Sequence, residues 1–128
     1  MAETKLPKPT EAELEILKIL WRRGASTVRE GHGELNRAKE TGYTTALKFM
    51  QIMAEKGLVV RDEAARAHVY TARAPQAETQ QQLVGDLLLR VFEGSATQLV
   101  MQALSAKQAS AEELTAIRQM LEERMGDK

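Results

Sequence analysis

Thr44, Thr45, Lys48 and Gln51 fall within GYTTALKFMQIMAEKGLV, residues 42–59. On a helix turning by roughly 100° per residue, that spacing gathers all four on one side. Leu47, Met50, Met53 and Ala54 gather on the other, and a Met-rich stripe at this spacing is a core-facing surface that needs no function to explain it. The polar side offers hydrogen bonding and charge rather than bond-breaking chemistry. A glutamine amide can pair bidentately with adenine, threonine hydroxyls can serve bases or phosphates, and a threonine methyl can pack on thymine. The set therefore reads as a surface for the major groove of double-stranded DNA, with an ordinary solvated helix face as the competing reading.

Catalytic chemistry has no comparable set. His32 and His68 lack a Ser, Cys or carboxylate partner at a recognisable motif spacing, and the spacing of the glycines forms neither a dinucleotide fingerprint nor a phosphate loop. With no cysteine in the chain, disulfides, thiolate nucleophiles and thiolate metal sites are excluded. The reading is a protein without enzymatic activity, metal or cofactor.

The elements that must position the four side chains follow from local pattern. Thr10-Glu-Ala-Glu13 has the form of a capping box, and Leu14, Leu17 and Trp21, widened by Ile16 and Leu20, make a broad apolar face. Arg22, Arg23 and Gly24 then supply a cationic last turn and a stop, which predicts a first helix over Glu11 to Arg23. Ser26 and Thr27 ahead of Val28 and Glu30 predict a second, shorter helix that ends near Ala38. The third runs from about Thr44 to Lys56, before Gly57. LVVRDE and AHVYTA then read as two strands of a hairpin, with Asp62 to Arg66 at its tip and His68 in the middle of the second strand.

Three helices followed by a two-stranded ribbon is the order of a winged helix-turn-helix. In that arrangement Arg66, and with it Arg61, would face a flanking phosphate or the minor groove, and Ser26 and Thr27 could donate to phosphate. Past Pro75 the pattern becomes purely helical. Leu83, Leu87 and Val91, then Leu99 and Val100, then Leu114, Ile117 and Leu121 form apolar stripes on three short segments, the last capped by Ser110 and Glu113. Three short helices without a sheet cannot easily bury such stripes, and a symmetric dimer is the economical solution, with packing back onto the first domain as the competing reading. The expected architecture is mainly α: a winged-helix domain over residues 1–75 with a small β-hairpin wing, then a helical dimerisation region over residues 76–128.

The overall charge is zero, yet residues 1–75 carry a net +3 and residues 76–128 a net −3. The sign of the first part suits a polyanionic partner, although the imbalance is modest. No apolar run approaches the roughly 20 residues of a membrane helix, and MAETKLPKPT lacks the apolar stretch of a signal peptide, so a cytoplasmic protein without membrane insertion is expected.

Taken together, PTEAELEILKILWRRG, STVREGHGEL, YTTALKFMQIMAEKGLV and HVYTA resemble the penicillinase-repressor family of bacterial transcription regulators, the BlaI/MecI/CopY type. Glu13, Glu15, Leu20 and Trp21 match the signature of its first helix, and Tyr43-Thr44-Thr45 with Lys56-Gly57-Leu58 matches its recognition-helix pattern. The resemblance adds Tyr43 to the DNA-facing set. It implies a homodimer that sits on an inverted-repeat operator and blocks transcription, built from an N-terminal winged helix and a C-terminal dimerisation region. In antibiotic-responsive members a membrane-bound metalloprotease receptor triggers cleavage in the C-terminal region, at a bond that would fall near Gln102-Ala103. Those members carry Asn-Phe there, and the copper-responsive members end in a cysteine-rich site that this chain lacks. Lys48 and Ile52 also stand where relatives carry small polar and Arg residues. Two other readings remain open: a small-molecule-responsive winged-helix regulator, and a protein-interaction module that grips its partner with the third helix or the C-terminal stripes.

Overall fold

The first two helices start where the sequence supplies a cap. In the computed structural model, which describes residues 7–106 and 109–126, α1 spans Glu11–Arg23 behind a complete capping box. The Thr10 hydroxyl accepts from the Glu13 N–H at 3.2 Å while the Glu13 carboxylate accepts from the Thr10 N–H at 2.9 Å. Thr27 and Glu30 repeat the device for α2, Val28–Ala38. Helix α3, Tyr43–Lys56, follows Gly42, which gives it no side-chain cap. It stops at Gly57, whose φ of 89° and ψ of 16° place it in the left-handed region where glycine carries no steric penalty.

Strands β2, Val59–Asp62, and β3, Val69–Ala72, form the expected hairpin, with Val60 opposite Thr71 and Arg61 opposite Tyr70. The sheet nevertheless has three strands in the order β1-β3-β2, because Ser26–Thr27 forms β1 and pairs antiparallel with β3, Ser26 opposite Tyr70. The reason is local. An N-cap residue must be extended, as Thr27 is with φ −78° and ψ 169°, so the two residues before α2 can pair with the free edge of the hairpin. His68 lies just outside β3 and is exposed, not in mid-strand as the sequence pattern suggests.

Helices α1 to α3 and the sheet enclose one core. Ile16, Leu17 and Leu20 from α1, Val28 and Leu35 from α2, Ala46, Met50 and Met53 from α3, and Leu58, Val59 and Tyr70 around the sheet are all buried. Half-buried Trp21 packs against them, and its indole N–H donates to the Ala74 carbonyl at 2.9 Å. That bond fastens the chain leaving β3 to the last turn of α1. A second fastening is ionic. Glu13 is only 3% exposed, and both of its carboxylate oxygens accept from Lys56 Nζ at 2.8 Å, joining the start of α1 to the end of α3. At the other end of α1, Arg22 and Arg23 reach Glu34 of α2 at 3.6 and 3.7 Å.

The chain divides into two compact units between Val84 and Gly85, inside α4, Gln76–Arg90. In the second unit α5, Ala96–Ala106, and α6, Ala111–Gly126, follow, and α6 begins with the Ser110–Glu113 capping box. No described residue of α5 or α6 is buried. Among the described residues no helix is long and apolar enough to cross a membrane.

Burial raises the pKa of Glu13, but hydrogen bonds from Lys56 and Thr10 and the charge of Lys56 together outweigh it, so the net shift is downward. A carboxylate with a depressed folded pKa contributes stability that is complete at neutral pH and is lost as pH falls from about 4.3 through the folded value. Thermal melts should therefore show an acid-labile component that Glu13→Gln removes. Lys56→Met should cost about 2–3 kcal/mol at pH 7, below the full cost of breaking a buried pair because Lys56 is itself partly solvated.

Candidate nucleic-acid interface

Helix α3 is divided between core and surface as its periodicity dictates. Ala46, Met50 and Met53 face inward, and Leu47, Phe49 and Ala54 pack beside them. Thr44, Thr45, Lys48 and Gln51 are all exposed, within an arc of roughly 120° at about 100° per residue. Tyr43, 45% exposed, stands at the head of the helix with its ring edge-on to His32, centroids 5.7 Å apart.

The same stripe continues to two residues that sequence reasoning left out of the site. Ile52, 39% exposed, and Glu55 lie one turn beyond Lys48 and Gln51 on the same side. Their signal was the same helical spacing that selected the other four. Glu55 also lines a groove of about 500 Å³ between α3 and β2, together with Gln51, Ala54, Val59, Arg61 and Glu63. Glu63 is balanced there by Arg61, so Glu55 is the carboxylate left to repel phosphate, and the polyanion-compatible part of α3 ends near Gln51.

The two wing arginines differ. Arg61 Nε lies 2.7 Å from a Glu63 carboxylate oxygen. A hydrogen bond with the Tyr70 side chain, reinforced by Glu63, raises its pKa further above the ordinary arginine value. Its charge is committed inside the wing. Arg66 is exposed in the loop between β2 and β3, where the Ala64 N–H donates to Asp62 Oδ1 at 2.9 Å. Among the described residues, Arg66 enters no ion pair, and neither do Lys48 or Arg29. Arg29 sits exposed in the first turn of α2, a helix that crosses the backbone in helix-turn-helix proteins. A cation next to the capping pattern STVRE was its available signal.

Ser26 leaves the candidate set. It is 0% exposed, its hydroxyl donates to the Gly24 carbonyl at 2.9 Å and accepts from Arg23 Nε at 3.1 Å, and it is held there by strand pairing that the hairpin pattern did not foretell. Thr27 is half-buried, with its hydroxyl oxygen capping Glu30. In the second unit Leu87, Val91, Val100, Leu114 and Leu121 are between 44% and 61% exposed, and Leu99 and Ile117 are half-buried; Leu83, also half-buried, falls in the first unit, just before the division within α4. Gln102 and Ala103 are exposed within α5.

Known proteins share this organisation. The solution structure of the DNA-binding domain of the repressor BlaI superposes with a TM-score of 0.52 at 24% identity, covering 59% of this chain and 93% of that one. The Bacillus licheniformis BlaI monomer in complex with the blaP half-operator gives 0.51, again at 24% identity, covering 58% and 90%. Both likenesses concern the fold. At the level of sequence, the penicillinase repressor of Bacillus licheniformis is 26% identical over 119 residues, 93% of each chain. The transcriptional regulator BlaI of Mycobacterium tuberculosis is 28% identical over 120 residues, 93% of this chain and 86% of that one. The profile of the penicillinase repressor family matches residues 9–123, through both units and every helix of the fold, and the chain belongs to that family.

Proposed function

We propose that this DNA-binding transcriptional repressor acts as a homodimer on an inverted-repeat operator, with Thr44, Thr45, Lys48 and Gln51 reading the major groove and Arg66 holding the backbone. One observation carries the reading: the polar side chains of α3 are exposed together on the side opposite its buried Ala46, Met50 and Met53. Gln51 and the two threonines can discriminate base edges, and Lys48 and Arg66 neutralise phosphate or donate to it. Arg29 adds a backbone contact from α2. Arg61, tied to Glu63, acts by stiffening the wing rather than by touching DNA. Residues 1–75 form the DNA-binding part and residues 76–128 the dimerising part. No step in this function requires bond chemistry or a cofactor.

The apolar side chains exposed in the second unit support dimerisation, since a C2 interface buries each such patch twice. Half-sites would lie about one helical turn, roughly 10 base pairs, apart or at a longer register set by the dimer. Release would follow cleavage near Gln102-Ala103, triggered by a membrane-bound metalloprotease receptor. The helical backbone of α5 would have to unwind locally for a protease to seat that bond, because proteases take substrates extended.

Fluorescence anisotropy against a labelled duplex from the chain's own promoter, with scrambled competitor, tests DNA reading. Gln51→Ala should cost about 1–3 kcal/mol on the operator and little on scrambled DNA. Arg66→Ala should weaken both duplexes and reduce the slope of log affinity against log salt by about 1 per protomer. A flat salt dependence in the wild-type chain would sink the phosphate-contact reading. Scrambled DNA bound equally well by a folded dimer would point instead to a protein partner for α3.

Sedimentation equilibrium tests association. Leu87→Glu with Leu121→Glu should convert dimer to monomer and weaken operator binding, while circular dichroism of the first unit stays unchanged. For release, mass spectrometry of the chain from induced cells should find fragments ending near Gln102, and an intact chain in derepressed cells would exclude cleavage as the trigger.

A further inference from the structure

The turn between α2 and α3 is held from α2 and not by α3 itself. His32 and Asn36 are four residues apart and so lie on one side of α2. Asn36 Oδ1 accepts from the Thr41 N–H at 2.8 Å, and His32 Nε2–H donates to the Thr41 carbonyl at 2.6 Å. The Thr41 hydroxyl donates to the Lys39 carbonyl at 2.8 Å. Both backbone polar groups of one turn residue are therefore gripped by side chains of the preceding helix. The His32 ring then meets Tyr43, the first residue of α3, at an interplanar angle of 85°.

This grip replaces something α3 lacks. Capping boxes orient the first turns of α1, α2 and α6, and Ser95 caps α5 through the Gln98 N–H, but Gly42 offers α3 no side chain. Glycine also leaves the entry to α3 free to sample many conformations unless the turn is fixed from elsewhere. The buried contact between the two helices, through Leu35, Ala46 and Met50, does not involve the clasp residues, and Asn36 is exposed. Loss of the clasp should loosen the aim of α3 without dismantling the core.

We propose that His32 and Asn36 are positioning residues for sequence recognition: by clasping Thr41 and buttressing Tyr43 they set the orientation of the first turn of α3, and with it the aim of Tyr43, Thr44 and Thr45. The proposal rests on the reading of α3 as the operator-reading helix. It assigns the two residues an effect on discrimination between sequences rather than on charge-driven affinity, which depends on cations elsewhere.

The test compares anisotropy titrations on the operator duplex and a scrambled duplex for Asn36→Ala, which removes the acceptor, His32→Phe, which keeps a ring but removes the donor, and Asn36→Asp, which keeps the acceptor. Asn36→Ala and His32→Phe should lower the operator-to-scrambled affinity ratio on the order of tenfold, the scale of one lost base contact, with scrambled binding changed less than about twofold. Asn36→Asp should keep the ratio, since its added charge weakens both duplexes alike. An Asn36→Ala chain with the wild-type ratio, or one that weakens on both duplexes in parallel, would overturn the proposal. A wild-type chain that does not prefer the operator overturns the reading of α3 as the operator-reading helix, and shows this before any variant is compared. Should Asn36→Ala fail to fold, amide hydrogen exchange in the wild-type chain decides: protection is expected at Thr41, and exchange at the rate of an open loop amide would overturn the clasp.

Discussion

The Glu13 carboxylate is where the local structure of α1 and the tertiary structure of the first unit meet. A buried carboxylate is expensive unless its oxygens are paired and hydrogen-bonded, and here one side chain closes the cap of α1 and holds Lys56 at the far end of α3. Because α3 carries the polar stripe, the pair fixes the C-terminal end of that helix against α1, while the core residues Met50 and Met53 fix its roll. The clasp on Thr41 governs the other end. Helix α3 is thus constrained at both termini by groups outside it.

Electrostatics narrows the candidate face more than composition does. Many of the cations in the first unit are already engaged: Arg22, Arg23 and Arg37 surround Glu34, Lys18 pairs with Glu15, Arg61 pairs with Glu63 and Lys56 is bound to Glu13. A modest positive balance in that part of the chain therefore understates how selective the surface is, because among the described residues Lys48, Arg66, Arg29, Lys39 and Arg73 are left outside any ion pair while Glu55 lines the groove beside the wing. Apart from the buried Lys56–Glu13 pair, these ion pairs are exposed and add little to stability, and their main consequence is to decide which charges remain available.

In the second unit the balance is reversed. Helices α5 and α6 have no fully buried residue, and Leu114, Met120, Leu121 and Met125 are all at least 47% exposed. Apolar surface of this extent on short helices favours association over solvation, since it is removed from water only by another apolar surface.

What the sequence determined by itself was every feature set by neighbours a few residues away. The bounds of α1, the end of α2, the stop at Gly57 and the cap at Ser110 were all legible because caps and glycine stops act over three or four residues. So was the division of α3 into an apolar and a polar side, since helical periodicity assigns the faces before any partner is known. Tertiary structure alone decided the rest. It made Ser26–Thr27 a third strand and buried Ser26, it tied Arg61 to Glu63 and Tyr70 while leaving Arg66 free, and it brought His32 and Asn36 onto Thr41. Each of those outcomes depends on which backbone edge or charged group lies opposite once the elements have packed. Residue type and local spacing carry no information about that pairing, because it is selected by the free energy of the whole packed unit.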